Sequence, residues 1–81
     1  MKVIILISPN GDWEGLFIDG QLISEGHTLG QGDRLYLLKT AEEYDFKSDD
    51  VKVITICDED EQYLMKYGAF PERIDILKGD Y

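Results

Sequence analysis

The residues with the strongest intrinsic chemistry are one histidine, His27, and one cysteine, Cys57. A thiol beside an imidazole makes a nucleophile and base, provided a third group orients the base. Here the two lie 30 residues apart, one in a loop and one at a strand end, and nothing in the pattern brings them together. A zinc site needs three or four ligands, and one His with one Cys falls short of that set. Gly30-Gln31-Gly32 lacks the lysine and the preceding strand of a phosphate-binding loop. Asp58-Glu59-Asp60-Glu61 lacks the spaced ligands and central glycine of a calcium loop. The sequence therefore points away from an enzyme and implies neither a metal nor a cofactor.

Binding chemistry is better supplied. The chain has 17 Asp plus Glu against 8 Lys plus Arg, a formal net charge of -9 in 81 residues. Nucleic acid and anionic membrane surfaces are held largely by Lys and Arg, so neither is an expected direct partner. Such acidity keeps a small protein soluble, and it also suits a protein partner with a basic surface. The stretch from Glu42 to Glu61 concentrates the charge, with nine acids against Lys47 and Lys52. Asp49, Asp50, Asp58 and Asp60 are its candidate contacts. Trp13 is the only tryptophan, and Trp and Tyr are favoured interface anchors. Trp13 with its neighbour Glu14, and Tyr36 on the polar side of a helix, complete the candidate partner surface. Tyr81 is a further exposed aromatic candidate. In an alternative reading, Trp13, His27, Arg34 and Tyr36 stack on and pair with a nucleotide across the interface of a homo-oligomer.

These side chains need a scaffold. Lys2 to Ile7 is nearly all β-branched and reads as a central strand buried on both faces. Ser8-Pro9-Asn10-Gly11-Asp12 ends it. Trp13 to Ile18 and Gln21 to Glu25 form a hairpin across Asp19-Gly20, a pair suited to the positive φ angles of a type I′ turn. Gly26 to Gly32 is a connection. From Arg34 to about Asp45 the period is helical, with Leu37, Leu38, Ala41 and Tyr44 on one face. Lys47 to Asp50 is a loop, and Val51 to Cys57 a fourth strand with alternating faces. Asp58 caps a second helix, with Glu61 three residues on and Tyr63, Leu64 and Tyr67 on its inner face. Gly68 stops it. Ile74, Ile76 and Leu77 mark one more short element in the tail.

The order β-β-β-α-β-α predicts one α+β domain spanning residues 1–81, with a four-stranded mixed sheet in order 3-2-1-4 and two helices on one face. The lone cysteine excludes an internal disulfide. The short apolar run at the start is no secretory signal, and no stretch is long enough to span a membrane. A cytoplasmic protein is expected.

Gly11-Asp12-Trp13-Glu14-Gly15-Leu16 followed by Glu25-Gly26-His27 resembles small acidic bacteriophage and prophage proteins of uncharacterised function. Phe70-Pro71-Glu72 is similar to a piece near their C-terminus. The resemblance covers the hairpin well and the helices loosely. It implies a mobile-element accessory protein in a bacterial cytoplasm. Joined to the charge, it gives the expectation of a non-enzymatic protein that binds and inhibits a host defence or nucleic-acid-handling protein. A nucleotide sponge and an assembly role are the alternatives.

Overall fold

The computed structural model describes residues 2–27 and 41–81. Strand β1 (Val3–Ile7) is buried on both faces from Val3 to Leu6, as its unbroken apolar sequence requires. It pairs antiparallel with β2 (Glu14–Ile18), which pairs antiparallel with β3 (Gln21–Gly26). On its other side β1 pairs parallel with β4 (Val51–Thr55), giving the mixed order β3-β2-β1-β4. The fold is α+β with the expected strand order.

Ile18 and Gln21 face each other across the two-residue turn, where Asp19 and Gly20 have φ of 50° and 86°. Both angles suit a type I′ turn. A Cβ at residue 20 would lie 3.6 Å from Ile74 Cγ2, an ordinary contact, so Gly20→Ala meets only backbone strain. Chemical denaturation should show a loss of about 1–2 kcal/mol. The β2–β3 register shifts between Leu16 and Phe17, and Ile23 packs on the same face as Leu16.

Residues 41–44 are helical and are labelled α1. Asp45 follows in the left-handed region at φ 57°, and the Phe46 N–H bonds to the Ala41 carbonyl at 3.2 Å. This is a Schellman closure with aspartate in glycine's usual place. Helix α2 runs Asp58–Tyr67 and ends at left-handed Gly68, whose N–H reaches the Leu64 carbonyl. Segment 48–50 is a 3₁₀ turn rather than an open loop, closed by Asp50 N–H to Lys47 O and Lys47 N–H to Asp50 Oδ2.

The helices lie on opposite faces of the sheet, against the expectation of one shared face. Ile4, Leu6 and Phe17 pack with Ile56, Leu64 of α2, Phe70 and Leu77. Val3, Ile5, Leu16 and Ile18 pack with Phe46 and with Ala41 and Tyr44 of α1. A single helical layer would leave one of these sets in water, at roughly 1.5–3 kcal/mol for each large side chain.

Three local expectations also change. Cys57 is the N-cap of α2 and makes no side-chain capping bond, so Asp58 is the first helical residue and no capping box forms. Tyr67 is 60% exposed, because the buried stripe runs through Asp60 and Leu64 and the helix stops before its next turn. Strand β4 ends at Thr55, although the Ile56 N–H still reaches the Ile7 carbonyl. The tail carries a 3₁₀ turn, Ile74–Ile76. Its start covers the edge of β3 through Leu22 N–H to Glu72 O and Ile74 N–H to Gly20 O.

Candidate functional groove

Residues 8–13 join β1 to β2 in a tightly self-bonded loop. The Ser8 N–H bonds to the Trp13 carbonyl and the Gly11 N–H to the Ser8 carbonyl. The Trp13 N–H bonds to Ser8 Oγ, whose hydroxyl donates to Asn10 Oδ1 at 2.7 Å. Asn10 Oδ1 also accepts the Asp12 N–H. The loop therefore sets the indole of Trp13 without help from a ligand.

Trp13 is half-buried. Its Nε1–H donates to Glu25 Oε1 at 2.9 Å, and the same oxygen accepts the Phe70 N–H at 2.8 Å. His27 meets the indole edge-on with ring centroids 4.9 Å apart. His27 Nδ1 lies 2.9 Å from the Asp12 carbonyl. A carbonyl can only accept, so Nδ1 carries the proton and Nε2 is left to its surroundings. Residues separated in sequence thus share one corner of the molecule: Trp13, Glu25, His27 and Phe70.

Between this loop and α2 lies an open groove of about 250 Å³. Ser8, Asn10, Asp12 and Trp13 form one wall; Glu61, Leu64, Met65 and Gly68 form the other. Drug-sized ligands usually occupy about 300–1,000 Å³, so this groove suits a single side chain or a very small molecule. Among the described residues its charged lining is acidic, from Asp12 and Glu61, and Trp13 offers an aromatic surface. A cation is the chemically complementary guest, through carboxylates and the indole face together.

The expected partner residues do not form one patch. Asp49 and Asp50 are exposed just before β4, at the end of the sheet where Val51 pairs with Val3. Asp58 is exposed beyond the other end of β4. Glu14 is buried at 3% exposure, within β2 opposite Ile7 and Gly26. Asp60 is buried at 1% exposure. Neither buried acid can serve as an outer contact. Tyr36 and Arg34 lie outside the described residues. Tyr81 is half-buried against the core rather than free. Of the nucleotide-binding set, Trp13 and His27 do meet.

Asp60 instead organises the tail. Its carboxylate accepts the N–H of Lys78 at 2.7 Å and of Gly79 at 2.9 Å, and the hydroxyl of Tyr81. The Cys57 thiol lies 3.3 Å from Oδ2. Burial alone would raise the carboxyl pKa. The Tyr81 hydroxyl, the two N–H groups and the thiol outweigh it and hold the pKa below its ordinary value. Burial and the same Asp60 bond push the Tyr81 hydroxyl up. Cys57 belongs to this cluster and His27 to the Trp13 corner, so no partner joins them.

Asp12, Glu61 and Met65 were not singled out from the sequence. Their convergence depends on how α2 docks on the sheet, which no local pattern encodes. Among the described residues, no group of three or more His, Cys, Asp or Glu is placed to hold a metal ion. No helix among them is long and apolar enough to cross a membrane.

Fold and groove define a small α+β protein whose surface features suit cationic binding. Comparison with protein-family models, curated proteins and solved structures gives no match.

Proposed function

We propose that this protein is a non-enzymatic binder that docks on a basic surface of another protein and blocks it. The observation that carries this reading is the groove beside Trp13, whose charged lining among the described residues is Asp12 and Glu61. A lysine or arginine side chain fits its size and its charge. The exposed acids Glu42, Glu43, Asp58 and Glu59 support the same reading, since none is in an ion pair with another described residue. Among the described residues the one side-chain ion pair is Arg73 with Asp75, at 3.6 Å. Uncompensated surface charge steers an oppositely charged partner and speeds its encounter. A basic surface of this kind is what nucleic-acid-handling proteins present, so the acidic protein would compete with nucleic acid there. A bacteriophage or prophage accessory protein acting on a host protein is the setting that the hairpin resemblance suggests. The acidic groove disfavours the nucleotide sponge, because a phosphate would face carboxylates at close range.

The test is capture of the tagged protein from bacterial lysate at low and high salt, with mass spectrometry of what co-elutes. A stoichiometric partner with a basic surface, released at high salt, is the expected result. An empty capture at low salt would count against the reading.

A further inference from the structure

The two edges of the sheet are treated differently. Segment 72–74 covers the edge of β3 with backbone hydrogen bonds. The outer edge of β4 has no neighbouring strand among the described residues. The Ile56 N–H points toward β1, so by alternation the backbone groups of Ile54 and Lys52 do too. Those of Val53 and Thr55 point outward. Two residues beyond Thr55, the outward Cys57 N–H is taken by the Tyr81 hydroxyl at 3.2 Å. Among the described residues, Val53 and Thr55 have no such cover. Val53 is also 59% exposed, a large apolar side chain beside an open backbone edge.

An open edge invites another strand, and charge decides which. Asp49 and Asp50 are exposed at one end of β4, and Asp58 and Glu59 beyond the other. Lys52 is the only cation between them. A second copy of this chain would set acids against acids in either strand direction, and each copy carries a net charge of -9. Like charges placed opposite each other destabilise a strand pair. A segment with basic residues at both ends meets the opposite situation. The five residues of β4 span roughly 16 Å at ~3.3 Å each, which is the least separation of those basic ends.

We propose that the outer edge of β4 accepts an extended segment of the partner as a fifth strand, with lysines or arginines flanking a β-branched centre. This rests on the reading of the protein as a binder of basic partners and names its docking mode. Main-chain bonds to Val53 and Thr55 supply the pairing, Val53 supplies an apolar contact, and the flanking acids select for charge.

The test uses the synthetic peptide Lys-Lys-Val-Thr-Val-Thr-Val-Lys-Lys and the same peptide N-methylated at alternate central residues. Methylation preserves charge and side chains and removes strand hydrogen bonding. Amide NMR titration of the unaltered protein should show shifts at Val53 and Thr55 with the first peptide. The methylated one should bind at least about tenfold more weakly. Equal binding of both peptides would overturn the fifth-strand mode while leaving a purely electrostatic acidic surface intact. No binding of either would overturn the mode, and the acidic reading would then stand or fall on the lysate capture. A concentration-dependent dimer protecting Val53 and Thr55 would also overturn it, by giving the edge to a second copy.

Discussion

Replacing Asp60 by Asn is expected to lower the unfolding free energy by about 2–4 kcal/mol. An amide keeps one acceptor oxygen, but its nitrogen cannot accept from Gly79 or Tyr81 at the Oδ2 position. Buried donors are then left without an acceptor, and residues 78–81 lose their anchor. In a domain of this size that corresponds to a fall in Tm on the order of 10–25 °C. The pH dependence has a definite sign. The folded pKa of Asp60 is lowered from its ordinary value of 3.8. Its stabilisation is therefore fully present well above pH 3.8 and is lost as pH falls through the lower folded value. Acid denaturation of the Asp60→Asn protein should lack that component. Tyr81→Phe, which removes one donor, should cost only about 1 kcal/mol. Thermal unfolding scans at neutral and acidic pH check all of these, and a wild-type Tm in the Asp60→Asn variant would rule out the anchoring role.

The second large effect concerns Gly15. A Cβ there would run into Phe70 at Cδ2 and lie 2.8 Å from Cε2. The ring cannot retreat easily, because Phe70 is buried and packs edge-on against Phe17, with centroids 5.8 Å apart. Gly15→Ala should cost about 1–3 kcal/mol by overpacking. Phe70→Ala should cost about 3–5 kcal/mol by leaving a cavity. The double variant should be less destabilised than the sum, because the added methyl enters space that the ring vacated. Urea denaturation of the four proteins measures that coupling directly. Strict additivity would mean that the two residues do not meet in solution. The quoted hairpin and tail residues thus have a shared structural role: Gly15 makes room for Phe70, and Glu25 binds both Phe70 and Trp13.

Much of the sheet could be read from the sequence because its signals are local. An unbroken apolar run from Val3 to Ile7 identifies β1, Asp19-Gly20 dictates the turn between β2 and β3, and Gly68 ends α2. The side of the sheet on which each helix lies is not local. Periodicity shows which stripe of a helix is apolar; it does not show which face of β1 that stripe meets. Asp60 was misread for a similar reason. An acid in the first turn of a helix ordinarily complements the helix dipole at the surface. Here its partners are backbone N–H groups of residues 78 and 79, and no side-chain pattern announces them. The candidate partner surface was partly legible: Trp13 and His27 do meet, and Asp49, Asp50 and Asp58 are exposed. The groove was not legible because it is assembled from the loop after β1 and a helix some fifty residues later.

The most direct test of the acidic docking surface is a paired capture from bacterial lysate. One bait is the wild-type protein; the other carries Asp49→Lys, Asp58→Lys and Glu59→Lys. All three sites are exposed, and the turn-closing Asp50 and buried Asp60 are left intact, so circular dichroism should show the same fold. The expected result is a basic partner held by the wild type at low salt, released at high salt and absent from the charge-reversed bait. Equal recovery of that partner on both baits would contradict the acidic docking surface.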